Sequence, residues 1–184
     1  MGSARFASIL PSAIVTEEDS CFDAFQREFD YLSRTLRRLG VRVEDLEDEV
    51  HEVFLVLNRK WREYDPSRPL RPYLFGIAFR VVSARKRRQR RELPQALEEL
   101  ADLAPRPDEA LEAADARGLV LRALARVPLP RRAVLVMHDI DEVPMRDIAE
   151  TLSLPLFTGY SRLRKARREL EAAVKALQKG RSEQ

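Results

Sequence analysis

Residues 144–170 read PMRDIAETLSLPLFTGYSRLRKARREL, and their pattern decides the fold of the C-terminal half of the chain. Pro144 opens a short helix with Ile148 and Ala149 on its inner side. The connection Ser153-Leu154-Pro155 leads to a longer helix whose inward positions are Leu163, Ala166 and Leu170. A short helix, a tight connection and a longer helix are typical of a helix-turn-helix.

The side of the longer helix that faces away from this apolar stripe is polar and basic. Its members are Thr158, Ser161, Arg162 and Lys165. An α-helix fits the DNA major groove, where Arg or Lys addresses guanine and Ser or Thr addresses several bases. The pattern therefore favours DNA binding, although any antiparallel helix pair with a basic surface has the same spacing.

The N-terminal half carries apolar residues at helical spacing and predicts three helices. The first has the stripe Phe22–Leu39 and is expected to end at Gly40, which tolerates left-handed backbone. The second is predicted over Asp45–Arg62. The third opens near Pro72, after the loop Tyr64–Pro69. No stretch of useful length alternates like a strand, so the expected fold class is all-α.

The C-terminal half predicts four helices. The first begins near an N-cap at Asp108 and carries Leu111, Leu121, Leu124 and Val127. The others are expected over Arg131–Asp139, Met145–Leu152 and about Leu156–Leu177. This half is the smaller of the two helical units.

The net charge of +3 is distributed in blocks. Residues 80–91 hold seven basic residues and no acid, residues 92–116 hold eight acids against one Arg, and residues 160–181 hold eight basic residues against two acids. Two basic blocks favour contact with a polyanion, although solvated helix ends give the same pattern. The expected division is an N-terminal extension at 1–20, two small helical domains at 21–91 and 111–178, an acidic linker at 92–110 and a tail at 179–184.

Four acids mark the second predicted helix: Asp45, Asp48, Glu49 and Glu52. A dinuclear metal site would need inward-facing acids, usually with histidines at helical spacing, and only His51 is close by. We therefore interpret these carboxylates as a docking face for a basic partner. Simple solvation is the alternative.

Aromatic residues and cations surround the loop that follows. Trp61, Tyr64 and Tyr73 accompany Arg68 and Arg71. Aromatic rings capture unstacked bases, with about 1–3 kcal/mol per stacked base, while cations hold the backbone. Core packing is the competing interpretation for all three rings. For Phe75, core packing is preferred.

Enzymatic chemistry has little support in the sequence. His51 and His138 lie far apart, and Cys21 is in no nucleophile motif. We expect no enzyme activity, no cofactor and no metal. No run approaches the roughly 18 apolar residues of a membrane span, and residues 1–16 carry a single Arg and a short, broken apolar stretch. We expect no export signal, no membrane insertion and a cytoplasmic location.

Four segments together resemble the extracytoplasmic-function sigma factors of bacterial RNA polymerase. They are EDEVHEVF at 47–54, RPYLFGIA at 71–78, DIAETL at 147–152 and YSRLRKAR at 160–167. Each motif alone is weak, but the four occur in the right order and spacing across residues 22–177. The resemblance implies that the first helical unit is sigma region 2 and the second is region 4.

This resemblance also implies partners and site residues. Region 2 would bind the coiled-coil of the polymerase β′ subunit through Asp48, His51, Glu52 and Phe54. It would read and open the minus-ten element through Trp61, Tyr64, Arg68, Arg71, Tyr73, Arg80, Arg85, Arg87 and Arg88. Region 4 would dock on the β flap and read the minus-thirty-five element through Thr158, Tyr160, Ser161, Arg162 and Lys165. Promoter DNA and an inhibitory anti-sigma factor complete the implied partners.

Several positions depart from the family pattern. Ser153 stands where Gly is common, and a left-handed Ser costs about 1 kcal/mol. Phe157 replaces a small or polar residue, and Gly159 replaces an apolar one. Phe157 is expected either to touch a thymine methyl group or to fill the space beside Gly159. Tyr73 stands where Trp is frequent, which keeps a stacking surface.

Two other classes of protein share these features. A free-standing helix-turn-helix regulator would bind duplex operators tightly without polymerase. A helical adaptor would bind protein only. Dependence of transcription on the chain separates both from a sigma factor.

Overall fold

The computed structural model describes residues 20–92 and 116–182, and these residues contain α-helices and no strand. The first group of helices is α1 (Cys21–Arg27), α2 (Phe29–Arg38), α3 (Leu46–Lys60) and α4 (Leu70–Glu92). The second is α5 (Ala116–Ala125), α6 (Leu129–Leu135), α7 (Met145–Thr151) and α8 (Leu156–Ser182). The all-α prediction is confirmed. The predicted linker, the N-cap at Asp108 and the N-terminal extension lie outside the described residues.

The first predicted helix is divided into α1 and α2 at Glu28. Ser20 caps α1 by accepting a hydrogen bond from the backbone N–H of Asp23 at 3.2 Å. The Glu28 side chain is 1% exposed, and its carboxylate accepts a 2.8 Å hydrogen bond from Arg71. The expectation of one continuous buried stripe was wrong at Phe22 and Phe29. The break interrupts the helical register, and Phe22 and Phe29 remain about half exposed.

The first predicted helix ends at Gly40, as the sequence predicts. The φ of Gly40 is +92°, in the left-handed region that glycine adopts without strain. The N–H of Gly40 donates to the carbonyl of Arg37, and the N–H of Val41 donates to that of Leu36, both at 3.0 Å. These bonds satisfy carbonyls at the end of α2 and turn the chain towards α3.

α3 and α4 are the two longest helices of the first group. A 3₁₀ turn, Trp61–Glu63, extends α3. α4 begins two residues before Pro72, so the proline lies in the first turn, where a missing N–H costs little. The predicted apolar stripes of α4 are buried at Leu74, Phe75, Ile77, Ala78 and Val82.

The second group differs from the sequence prediction in two places. The helix expected over 131–139 is α6 followed by a π-turn, Val136–Ile140. α8 continues to Ser182 rather than ending near Leu177. Ser153 has a φ of +51°, so the left-handed backbone expected at this connection is present on a serine.

The two groups of helices share one hydrophobic core. α4 packs on α7, and α2 packs on α5. The guanidinium of Arg132 in α6 is buried and donates to the carbonyl of Leu39 at 2.8 Å and to that of Val127 at 3.0 Å. The described halves are thus in direct contact, which the picture of two tethered units did not anticipate.

Asp141 is the polar centre of this contact. Its carboxylate accepts a 2.9 Å hydrogen bond from the Tyr31 hydroxyl and lies 3.2 Å from Arg38 Nη1. Burial raises the pKa of Asp141 even though Tyr31 and Arg38 favour the charged form. One carboxylate therefore joins the end of the π-turn to two residues of α2.

Candidate nucleic-acid and partner interfaces

The exposed acidic face of α3 is narrower than predicted. Asp48, His51 and Glu52 are exposed, whereas Phe54 is half-buried. The Phe54 ring packs against Phe25 with ring centroids 4.9 Å apart. Three of the four residues assigned to polymerase binding therefore share an open surface, and the fourth anchors α3 to α1.

Asp45 and Glu49 do not belong to that surface. Each carboxylate lies 2.6 Å from a guanidinium nitrogen of Arg85, and Glu49 is 5% exposed. Burial tends to raise the pKa of Asp45, but hydrogen bonds from Arg85 and Arg42 outweigh it and hold the pKa below its ordinary value. The expected four-acid docking face was wrong in these two members, because they bind a cation of α4.

The three aromatic rings form a stack at the end of α3. The Trp61 and Tyr64 centroids are 5.3 Å apart with planes 20° apart, and Tyr73 lies 5.1 Å beyond Tyr64. Tyr64 is 8% exposed, and burial raises its pKa to about 12. Tyr64 is thus a core residue between two half-buried rings, and only Trp61 and Tyr73 keep ring surface open to solvent.

The cations around this stack have two kinds of environment. Arg87 and Arg88 are exposed on the far part of α4. Arg71 binds Glu28, and its guanidinium lies over the Tyr31 ring at 5.1 Å. Arg85 is held by its two carboxylates.

Arg68 and Arg80 contact the second group of helices. The Arg68 guanidinium pairs with the Glu150 carboxylate, and Arg80 donates to the carbonyl of Thr151 at 3.1 Å. Gly76 is buried beside them, and a Cβ there would lie 3.1 Å from Thr151 Cγ2. The small residue lets α7 approach α4 at the predicted minus-ten surface.

A groove of about 760 Å³ runs between α3 and α4. Glu49 and Glu52 line one wall, and Arg80 and Arg88 line the other. Tyr73 lies in the same groove, so it connects the acidic face with the aromatic stack.

The outward face of α8 differs from the predicted one. The inner side holds Gly159, Leu163 and Ala166. Opposite to it, at spacing i, i+4, i+7 and i+8, lie Phe157, Ser161, Arg164 and Lys165. Tyr160 is 56% exposed, whereas Thr158 and Arg162 are half-buried at the flank. The sequence reasoning considered Phe157 only for a thymine contact or for packing beside Gly159, and it missed Arg164, although the spacing places both on this face.

Gly159 sets the contact between α7 and α8. A Cβ at this position would lie 2.6 Å from Met145 Sδ and 3.3 Å from Leu154 Cδ1. Met145 and Leu154 therefore occupy the space beside Gly159. Phe157 does not fill it, which excludes one of its two expected roles.

Ion pairs fix the basic helix α8 on the rest of the second group. Arg167 makes two hydrogen bonds to Asp139, at 2.8 and 2.6 Å, and Arg131 lies 2.7 Å from Glu169. The bonds from Arg167 hold the pKa of Asp139 below its ordinary value, with a smaller contribution from His138. Arg167 is thereby partly neutralised, whereas Arg164 and Lys165 face solvent.

Two further findings concern the described residues alone. Within 20–92 and 116–182, no three His, Cys, Asp or Glu side chains come together in an arrangement that could hold a metal ion. Over the same ranges, no helix has the length and apolar character to cross a bilayer.

Both helical groups match known sequence families. Sigma-70 region 2 matches residues 24–92, and Sigma-70, region 4 matches residues 117–170. The two matches follow the two packed groups, and they define a promoter-specificity subunit of RNA polymerase. The chain belongs to the sigma-70 family, as a sigma factor of the extracytoplasmic-function type.

Relatives of known name agree with this assignment. The RNA polymerase sigma factor CnrH of Cupriavidus metallidurans is 26% identical over 155 residues, which cover 79% of this chain and 81% of CnrH. The RNA polymerase sigma factor NccH of Alcaligenes xylosoxydans xylosoxydans is 23% identical over 159 residues, 83% of this chain and 86% of NccH.

Solved structures of similar fold include two sigma factors. CnrH in complex with the cytosolic domain of CnrY has a TM-score of 0.58 and 25% identity, with 83% of this chain and 88% of that chain covered. The sigma factor RpoE in complex with the anti-sigma factor NepR from Bartonella quintana has a TM-score of 0.62 and 19% identity, with 82% and 96% covered. The chain therefore directs core polymerase to promoters and takes part in transcription initiation.

Proposed function

We propose that three surfaces of this sigma factor divide its work. Asp48, His51 and Glu52 on α3 bind the β′ coiled-coil of core polymerase. The end of α3 and the length of α4 bind the minus-ten element, and the outward face of α8 reads the minus-thirty-five element. In this proposal region 2 spans residues 21–91 and region 4, which also docks on the β flap, spans residues 111–178. The observation that carries the division is the separation of an exposed acidic face on α3 from exposed cationic faces on α4 and α8.

The acidic face is supported by its contrast with its neighbours on the same helix. Asp45 and Glu49 are held by Arg85, whereas Asp48 and Glu52, one helical turn apart, are exposed. An exposed pair of like charges at i,i+4 slightly destabilises a helix. A basic partner surface removes that cost and explains why the charges are on this side.

Charge reversal tests this face. Glu52→Arg is expected to reduce capture of core polymerase at least tenfold, because it converts attraction into repulsion at the contact. Asp30→Arg is the control, since it makes the same charge change on an exposed carboxylate of α2. Equal capture by the two variants would mean that the α3 face is only solvated.

At the minus-ten surface, Trp61 and Tyr73 offer the open ring area for an unstacked base, and Arg87 and Arg88 offer exposed cations. Tyr64 packs between Trp61 and Tyr73 and supports both rings. Arg71 and Arg85 act in this proposal through the geometry they hold, because their guanidinium groups are bound to Glu28 and to Asp45 and Glu49.

DNA binding at this surface requires the two helical groups to separate. Arg68 and Arg80 are both assigned to the minus-ten element, and both bind α7 of region 4. Phosphate oxygens would replace Glu150 and the Thr151 carbonyl as their partners. The contact of α4 with α7 therefore belongs to the sigma factor that is not yet on its promoter.

At the minus-thirty-five surface, Tyr160 and Lys165 are exposed on α8, and Ser161 between them is half-buried. Thr158 and Arg162 are half-buried at the flank of this face. Arg162→Ala is expected to reduce transcription mainly at promoters that have an intact minus-thirty-five element. An equal reduction at all promoters would assign Arg162 a phosphate contact or a structural role.

An anti-sigma factor is the regulatory partner in this proposal. CnrH was solved with the cytosolic domain of CnrY, and RpoE with the anti-sigma factor NepR. The protein acts where the polymerase is, in the cytoplasm, and leaves the chemistry of RNA synthesis to that enzyme. Run-off transcription with core polymerase should depend on the chain, whereas tight binding of duplex DNA without polymerase would favour a free-standing regulator.

A further inference from the structure

Phe157 is exposed in a way that packing does not explain. Its side chain is 83% exposed, the highest value among the exposed large hydrophobic residues of the described chain. Burying a phenylalanine side chain stabilises a protein by roughly 1.5–3 kcal/mol, and Phe157 contributes none of this to the folded chain. Leu156 and Tyr160 are 48% and 56% exposed, so the N-terminal end of α8 presents apolar surface at three positions.

The neighbouring glycine does not account for this exposure. Met145 and Leu154 fill the space beside Gly159, so no cavity awaits the Phe157 ring there. Phe157 also lies on the opposite side of α8 from Leu163 and Ala166, which face the core. The backbone geometry of α8 therefore directs this ring away from the protein.

The polar residues assigned to DNA binding lie on the same side of α8. Phe157 shares its face with Ser161, Arg164 and Lys165, which follow it by four, seven and eight residues. In helix-turn-helix proteins the first residues of the second helix reach the base edges, while later cations bind phosphate. Phe157 is the second residue of α8, at the end that would enter the groove.

We infer that Phe157 contacts the 5-methyl group of a thymine in the minus-thirty-five element and makes this base a determinant of promoter choice. The thymine methyl is the apolar group that a base pair presents in the major groove, and Phe is among the residues that contact it. This inference rests on the proposed reading of DNA by α8. It adds the one base feature that an exposed ring, without a donor or acceptor, recognises.

Deoxyuridine is the sharpest probe, because it lacks only the methyl group and keeps every hydrogen-bonding atom of thymine. The duplex is a promoter of this sigma factor identified by start-site mapping, with each thymine of its minus-thirty-five element replaced singly. Binding is measured with holoenzyme assembled from core polymerase. One replacement is expected to weaken binding by wild-type holoenzyme about fourfold, as expected for one methyl-sized apolar group.

The variant Phe157→Ala separates this contact from others. It is expected to bind the thymine duplex as weakly as the wild type binds the deoxyuridine duplex, and to show no further loss on deoxyuridine. Val120→Ala is the control, since Val120 is 47% exposed on α5. Because Phe157 makes no core contact, thermal unfolding of Phe157→Ala should match the wild type.

Four results would overturn the inference, and the last of them would also overturn the proposed role of α8. Deoxyuridine could be without effect at every position, or it could weaken the wild type and Phe157→Ala equally. Phe157→Ala could instead reduce assembly with core polymerase, which would assign the ring to a protein contact. Loss of all dependence on the minus-thirty-five element, measured with a scrambled duplex, would contradict the proposed role of α8 itself. In that case the inference would fail with it.

Discussion

Nη1 of Arg132 lies 2.8 Å from the carbonyl oxygen of Leu39, although 93 positions separate the two residues in the chain. The guanidinium of Arg132 in α6 thus caps the C-terminal end of α2, where helix carbonyls lack partners. The same side chain also binds the carbonyls of Val127 and Ala125. One buried cation therefore joins the ends of two helices in region 4 and region 2.

Removing this guanidinium should destabilise the whole described core. Arg132→Met keeps the length of the side chain but leaves buried carbonyls without a donor, and we expect a loss of about 2–4 kcal/mol in the free energy of unfolding. Denaturant unfolding measures it. Arg131→Met is the control, because Arg131 makes only a partly exposed pair with Glu169. Equal stability of the two variants would contradict a capping role for Arg132.

Gly40 and Arg132 depend on each other sterically. A Cβ at Gly40 would overlap Nη1 of Arg132, and the φ of +92° is unfavourable for any L-residue with a side chain. Gly40→Ala should cost at least about 1–2 kcal/mol from the backbone alone, plus the displacement of Arg132. Gly180→Ala, where a Cβ meets nothing within 4 Å, should be neutral or slightly stabilising. Thermal unfolding of both variants checks the contrast.

Arg85 should behave as a structural residue. Arg85→Met leaves the buried Glu49 carboxylate without its cation, and we expect a loss of about 3 kcal/mol in the free energy of unfolding. Arg88→Met, on the exposed part of the same helix, should change stability by less than about 0.5 kcal/mol. If Arg85→Met were as stable as Arg88→Met but defective in promoter opening, Arg85 would be a direct DNA contact.

The pH dependence of stability should reveal Asp139. Hydrogen bonds from Arg167 lower its pKa in the folded chain, so its contribution is present above the ordinary value of 3.8 and is lost as the pH falls through the lower folded value. Asp139→Asn should cost about 1 kcal/mol or less at neutral pH, because Arg167 is more than half exposed. The difference in stability from the wild type should decrease as the pH falls below 3.8. A difference independent of pH would contradict the ion pair.

The pKa of Asp141 is shifted as well, so the pH experiment has to compare the wild type with Asp139→Asn. Burial raises the pKa of Asp141, so its contribution has the opposite sign and strengthens the folded state as the pH falls. The total stability curve contains both groups. The difference in the free energy of unfolding between the wild type and Asp139→Asn contains only the contribution of Asp139.

A reversible cross-link should test whether the two regions separate on promoters. A Cβ at Gly76 would lie 3.1 Å from Thr151 Cγ2, so Gly76→Cys and Thr151→Cys bring two thiols near disulfide geometry. In a Cys21→Ser background, the oxidised protein should lose transcription and regain it on reduction. The reduced protein and each single cysteine variant are the controls. Full activity of the oxidised protein would show that α4 and α7 remain in contact on DNA.

The sequence predicted the helices well where local patterns control them. The stripe of α4, the stop at Gly40 and the helix-turn-helix around Ser153 follow from spacing and backbone preference, which are local properties. The family motifs in both halves likewise lie in short stretches. The break at Glu28 escaped prediction, and the buried contact that Glu28 makes there is with Arg71, 43 residues away.

The candidate site was less predictable than the helices. Asp45 and Glu49 have the same composition and spacing as Asp48 and Glu52, and only the position of Arg85 on α4 separates buried from exposed acids. Likewise, nothing in the sequence distinguishes the buried Tyr64 from the half-buried Trp61. Burial of Tyr64 between two rings is a property of the assembled core.

By itself, the sequence determined the all-α class, the order of the helices, the two family regions and the identity of the charged blocks, because each depends on neighbours along the chain. The tertiary structure alone decided which charges are open. It paired Arg68 and Arg80 with α7 and buried Arg132 at the end of α2. It also left the Phe157 side chain exposed to solvent. Such outcomes depend on contacts between helices distant in sequence, where burial and ion pairing are set by packing rather than by spacing.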